Sequence, residues 1–399
     1  MQIDEIRTEQ VKSIVSHAHS IVATHLRVFA CLCVIVLSGC ASEPPPVPPA
    51  ELKPTSSEVS PLRLWSSKSG KSGRGLFEPL VNETQVVVAN AEGTVTSYST
   101  DNGIRRWRAS LNVRLTSGVG GNSERVYVSD VNGVVHALDA STGEALWQTE
   151  ASSEILVPVA AGFDSALVRS TDGRLVALEE TNGQERWSLS NTPPALTLNG
   201  YSRPRLLEGG VLLGLDDGRV LALNLANGRI IWETVISVPS GRSEIERLVD
   251  IDADIVVDDE GIYLANYQGK AARLEPARGQ LVWSVPMSAG SGLAINDDSL
   301  IVVDDNDTVY RLEKSSGQII WTNETMPGRR LSPPAFASTG DIVLGDVEGY
   351  IHVLDLATGE SIGRTRLTDE PIEARAASID NALVIQAVDG LVAAYRFAR

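Results

Sequence analysis

Short apolar runs separated by polar, Gly-containing turns recur from Leu62 to Arg399. The pattern is clearest at 126–149, VYVSDVNGVVHALDASTGEALWQT. It predicts a strand, an Asn132-Gly133 turn, a second strand, a Thr142-Gly143 turn, and a third strand carrying Trp147. The skeleton is a Gly, a second Gly ten residues on, and a Trp four residues after that. It recurs at Gly93/Gly103/Trp107, Gly173/Gly183/Trp187, Gly218/Gly228/Trp232 and Gly269/Gly279/Trp283. A sixth copy, Asp307/Gly317/Trp321, has Asp at the first position, and a seventh, Gly349/Gly359/Gly363, has Gly in place of Trp. An eighth opens at Gly390 and meets the C-terminus before any Trp.

The first position advances by 40, 40, 45, 51, 38, 42 and 41 residues from copy to copy. That period is the mark of propeller blades, each too small to bury its own apolar face. The segment PLRLWS at 61–66 reads as an orphan Trp strand, and all seven Trp are accounted for if Trp65 completes the eighth copy. The expected fold is therefore all-β: an eight-bladed β-propeller of four-stranded antiparallel blades, closed by the N-terminal strand pairing into the last blade. Closure removes the sheet edges that an open stack would leave. The residue five after each first position is Tyr98, Leu138, Leu178, Leu223, Leu274, Leu312, Leu354 or Tyr395, and so is expected between blades. Each Trp N–H is expected on a main-chain carbonyl of the adjoining blade. Gly363 predicts a looser seam at the seventh unit.

Three domains follow: 1–39, 40–61 and 62–399. Val28–Leu37 is an uncharged apolar run of signal-peptide length, too short to span a bilayer. It leads into Leu37-Ser38-Gly39-Cys40, which resembles the bacterial lipobox. That resemblance implies cleavage before Cys40 and its lipidation; an ordinary signal with a chance Cys is the alternative. Residues 41–61 hold seven prolines and little to bury, so an extended tether is expected, with ordered structure from Leu62. Ala41 follows Cys40 where lipoproteins kept in the inner membrane carry Asp, which by analogy indicates the outer membrane. Net charge is −17, and the first forty residues are balanced, so the imbalance lies in the exported part. That argues against nucleic acid and against adhesion to anionic lipid. Cys31, Cys33 and Cys40 are the only cysteines, so the ring has neither disulfides nor thiolate metal sites.

The residues show no catalytic constellation. His136 and His352 occupy the same repeat position in different copies, so both read as strand residues of the repeat rather than as a metal pair. Asp250-Ile251-Asp252-Ala253-Asp254 begins like a calcium loop, but its sixth position is Ile255 and its twelfth Gly261. Asp304-Asp305-Asn306-Asp307 reads as a solvated turn. The long advances place extra chain at 191–201 and 238–259. In propellers such insertions lie in loops on one face, where partners bind.

The repeats ALDASTGEALWQT, ALEETNGQERWSL and ALNLANGRIIWET resemble the quinoprotein-type propeller repeat. That repeat is shared by pyrroloquinoline-quinone dehydrogenases and the BamB family, lipoprotein subunits of the outer-membrane β-barrel assembly (BAM) machinery. EIERLVDID at 244–252, VDDNDTVYR at 303–311, GDVEGY at 345–350 and IQAVDG at 385–390 resemble the BamB family more specifically. This likeness implies a non-enzymatic scaffold without cofactor, on the periplasmic face of the outer membrane. It implies that Leu196 and Leu198 of one loop, with Asp250 and Asp252 of its neighbour, bind the POTRA domains of BamA. Exposed leucines would form an apolar anchor, and the aspartates would pair with basic side chains at the rim. Asn199 stands where the family usually has a basic residue. Unfolded β-barrel clients are a further implied partner, through pairing with a blade edge. The competing readings are a quinone-dependent dehydrogenase and a general envelope adaptor. Likeness to the enzymes implies a vicinal disulfide and a calcium site, for which this ring lacks the cysteines and a recognisable ligand set.

Overall fold

The repeated turns fold as hairpins because their glycines adopt left-handed backbone; Gly133 has φ 77° and Gly349 φ 77°. Asp307, standing in for Gly, holds φ 64°. In the fifth copy the left-handed residue is Gln268 (φ 47°), and Gly269 is needed for space: a Cβ there would lie 2.1 Å from the Asn266 side chain. The computed structural model describes residues 47–73, 76–198, 202–290 and 292–399. The apolar run 28–37, Cys40 and Asn199 lie outside them.

The described strands form eight four-stranded antiparallel sheets. Blade one is Leu80–Val81, Gln85–Ala89, Thr94–Ser99 and Arg105–Ser110. Blades two to seven follow at 120–150, 160–190, 205–235, 256–287, 292–323 and 335–366. Blade eight is Ala377–Ile379, Ala382–Gln386, Leu391–Ala398 and, as its outer strand, Ser60–Lys68. First strands of neighbouring blades meet around the centre, so the fourth strands form the perimeter. All eight residues expected between blades are buried. The described residues include one short 3-10 helix, Ile245–Arg247, and no helix long and apolar enough to cross a membrane.

Each Trp couples two blades. A β-bulge skips the residue just before it: Ser97 pairs Trp107 while Tyr98 pairs Arg105, leaving Arg106 unpaired. Such a bulge re-aims the next side chain. The indole N–H then donates to a main-chain carbonyl of the following blade: Trp65 to Thr100 (2.7 Å), Trp107 to Ala140 (2.9 Å), Trp187 to Leu225 (2.7 Å), Trp321 to Leu356 (2.9 Å). The ring lies on that blade's second Gly. A Cβ on Gly143 would come within 2.5 Å of Trp107, and one on Gly359 within 2.6 Å of Trp321. The second Gly therefore serves a left-handed turn and a docking surface together. The bulged residues turn outward, which is why Leu146, Ile231, Val282 and Ile320 are exposed.

The seventh unit is not a loose seam. Its missing Trp coincides with the place where the chain enters the ring. Blade eight has no second turn, because its third strand ends at the C-terminus and its fourth starts at Ser60. Val59, 2% exposed, packs there with Val353 and Ile362, and its N–H donates to the Ile362 carbonyl at 3.0 Å. Gly363 makes room: a Cβ would lie 2.5 Å from the Val59 carbonyl oxygen. Ordered contacts begin earlier than Leu62, at Ala50, whose N–H donates to the Pro327 carbonyl at 2.9 Å. The second half of the proline-rich segment is thus laid on the ring rather than free.

Two substitutions test this account by thermal and urea unfolding. Trp107→Ala should cost about 3–5 kcal/mol, as for other large buried aromatics. Gly363→Ala has no backbone penalty of its own, so any fall in midpoint measures displacement of Val59. A midpoint equal to the parent's would show that Val59 does not fill the seam.

Candidate functional site

The loops that join each blade's outer strand to the next blade's inner strand lie on one face, together with the first-Gly turns. Both overlong loops are among them. Leu196 and Leu198, between blades three and four, are 41% and 37% exposed, so neither folds into the blade core. The other insertion has two parts. Residues 238–247 stand out in solvent, with Val238 and Ile245 exposed, whereas Leu248, Val249, Ile251, Ala253 and Ile255 are buried. Ile251 seats over Gly214, where a Cβ would lie 2.6 Å from it, and its N–H donates to the Leu215 carbonyl at 3.2 Å.

That anchoring determines where the flanking aspartates sit. Asp250 and Asp252 are buried, at 0% and 8% exposure, and not displayed at the rim as expected. The Ile251 contact draws the whole segment inward. Asp250 braces the leucine loop instead: its Oδ2 accepts the Leu198 N–H at 2.6 Å. The two loops are therefore one unit. Asp250 Oδ1 and Asp252 Oδ1 are buried without a hydrogen-bond partner. Burial, with the Asp216 charge nearby, pushes the Asp250 carboxyl up to about 6 against the Leu198 hydrogen bond. Burial and the charges of Asp250 and Asp216 push Asp252 up to about 7. Arg169 is the cation facing the group; it bonds Asp216 at 2.6 Å and the Ser202 carbonyl at 3.0 Å.

Asp252 and Leu198 line a cavity of about 560 Å³ at the mouth of the central channel. Its walls mix Phe77, Leu331 and Pro333 with Asp305, Glu373 and Arg375. A second cavity of about 430 Å³ lies beyond, and Asp254 and Arg375 border both. Between them Arg203 bonds Glu78 at 2.8 Å and forks onto Asp254, joining the approaches to blades one, four and five. Burial opposes the Asp254 charge, but Arg203 holds its carboxyl below the ordinary range. Arg375 adds a main-chain N–H to Glu78 at 3.3 Å. This cross-channel group and the exposed pair Val238 and Ile245 were not read from the sequence. The two acids, Glu78 and Asp254, and the two arginines, Arg203 and Arg375, are far apart in the chain, so only the ring brings them together.

The remaining candidates are structural. His136 bonds Asp130 at 2.9 Å and His352 bonds Asp346 at 2.7 Å; each Asp caps its own blade's turn through main-chain N–H groups. Burial lowers the His352 pKa despite Asp346. Asp304 and Asp307 are buried turn caps, and only Asp305 and Asn306 of that cluster are solvated. Among the described residues no group of three or more His, Cys, Asp or Glu is arranged to hold a metal ion.

Residues 91–323 match the family model described as outer membrane protein assembly factor BamB. A protein of that description from Pseudomonas aeruginosa is 40% identical over 366 residues, 90% of this chain and 96% of its own. One from Alkalilimnicola ehrlichii is 41% identical over 368 residues, 91% and 94% of the two chains. The crystal structure of BamB from Moraxella catarrhalis superposes with a TM-score of 0.78 at 26% identity, covering 84% of this chain and 100% of that one.

The buried carboxyls give a signed pH dependence. Both bind protons more tightly in the folded ring than at the ordinary 3.8, so their stabilising protonation is complete below that value and is lost as pH rises through 6 and 7. Asp252→Asn should therefore raise stability at pH 7.5 by on the order of 3 kcal/mol and leave it nearly unchanged below pH 4. Thermal midpoints across that range check this; a gain equal at both ends would contradict it.

Proposed function

The chain belongs to the family of the outer membrane protein assembly factor BamB, and from that we propose a non-enzymatic scaffold lipoprotein of the BAM complex. On this reading residues 1–39 direct export, lipid on Cys40 anchors the chain at the periplasmic face of the outer membrane, and the ring docks on the POTRA domains of BamA. It thereby assists insertion of β-barrel proteins.

The observation that carries the docking site is the Asp250–Leu198 hydrogen bond at 2.6 Å. It holds the loop at Leu198, two residues from Leu196, beside the cavity that Asp252 lines. Apolar side chains that are displayed but conformationally held bind with little ordering cost. Leu196 and Leu198 act as the anchor. Asp252, which lines the cavity, receives a basic side chain of the partner there, which relieves its buried charge. Asp250 works from behind, through the loop it supports. The histidines favour a scaffold, since both are engaged in turn caps.

Co-purification of BamA from solubilised outer membrane tests this. Leu196→Ala with Leu198→Ala should reduce recovery at least tenfold while leaving Trp emission unchanged, since each truncation removes about 1–2 kcal/mol of apolar contact and 1.4 kcal/mol is tenfold. Asp250→Ala should weaken recovery too, whereas Asp250→Asn, which keeps an acceptor for the Leu198 N–H, should largely retain it. Full recovery with the double leucine variant would sink the site assignment.

A further inference from the structure

The proline-rich segment is first gripped at Ala50, ten residues before it enters the ring at Ser60. Ala50 donates its N–H to the Pro327 carbonyl at 2.9 Å and accepts at its own carbonyl from Arg329 Nη1 at 2.6 Å. Arg329 is 1% exposed although it is a full charge at the molecule's surface loops. Its other nitrogens are engaged: Nε with Asp346 Oδ2 at 2.6 Å and Nη2 with Glu348 Oε2 at 2.5 Å. Asp346 is fixed in turn by His352 and by the N–H groups of Glu348 and Tyr350. A buried guanidinium held at Nε by a fixed Asp346 and at Nη2 by Glu348 has one direction left for its remaining nitrogen, and the Ala50 carbonyl occupies it. Beyond Ala50 the chain stays on blade seven: Arg364 Nη2 donates to the Lys53 carbonyl at 2.7 Å, Ser56 N–H to the Ser361 carbonyl at 3.4 Å, and Val59 is buried.

We propose that Arg329 is a latch that docks the tether on the ring and so sets how the ring hangs from its anchor. The membrane consequence rests on the reading of Cys40 as the lipidated residue. With the latch, 10 residues separate Cys40 from its first hold on the ring, a span of at most about 35 Å; were the segment released as far as Val59, 19 residues would separate them, a span of at most about 65 Å. The attachment lies between blades six and seven, on the same face as the Leu196–Leu198 loop between blades three and four. The latch therefore chooses which face is held near the anchor, in addition to shortening the leash.

The test uses full-length protein in detergent, spin-labelled at Glu51→Cys and Ala357→Cys, both exposed positions. A narrow distance distribution is expected, which should at least double in width with Arg329→Met. Arg329→Lys keeps a cation beside Asp346 but lacks the planar fork that spans Asp346, Glu348 and the Ala50 carbonyl; it should broaden the distribution as well and keeps the test readable if Arg329→Met does not fold. A second label pair at Ala357→Cys and Arg396→Cys, within the ring, should stay narrow throughout. A broad distribution in the parent, or one left narrow by both variants, would overturn the latch. The acyl mass on the Cys40 peptide is read from the same samples. Unacylated protein with a narrow distance removes the anchor and leaves the latch, whereas acylated protein with a broad one does the reverse.

Discussion

The structure depends on one contact made seven times: a Trp at the perimeter donating to the next blade's main chain while lying on that blade's second Gly. Each blade is a separate sheet with no hydrogen-bond ladder to its neighbours. Between blades much of the buried contact is apolar packing, which has no direction of its own; the indoles supply direction, joined by side-chain hydrogen bonds such as Gln85 to the Ala140 carbonyl and Asn323 to the Gly359 carbonyl. The bulge before the Trp matters as much as the Trp, because a regular strand would pair that residue and point the side chain elsewhere. The contact also explains why Gly363 is tolerated. Where no following turn exists to receive an indole, the entering chain fills the space with Val59.

Most of the ring was legible in the sequence because it is periodic. Turn glycines, the eight interblade residues and the closing role of Trp65 all follow from spacing and side-chain size. What spacing could not show was direction and depth. Gly363 looked like a defect, since the partner that replaces the indole comes from the other end of the chain. Asp250 and Asp252 looked like rim residues because they are charged and lie in an insertion. Ile251 between them is the stronger determinant: its burial over Gly214 pulls both carboxylates inward. The cross-channel arginine was invisible for the same reason, since its partners Glu78 and Asp254 belong to distant repeats.

The candidate site combines two properties that seldom occur together on a loop. Its display surface is apolar and exposed, yet its backbone is held by a buried carboxylate one loop away. The carboxylates carry a desolvation cost that is incompletely met within the ring. On the reading proposed above, a partner bringing a cation would complete a network left open, and the same residues that cost stability in the free ring would favour complex formation.

The Arg203 bridge has a mechanical meaning. A circle of eight stiff sheets joined by packing has an easy deformation, flattening to an oval, in which every seam yields slightly and none breaks. Blades one and five stand opposite each other, and Arg203 ties their inner approaches through Glu78 and Asp254. Flattening along or across the line from blade one to blade five would stretch or crush that tie. The molecule is better pictured as a wheel with one spoke than as a hoop: load applied at blade one is met at blade five through a tie that crosses the channel.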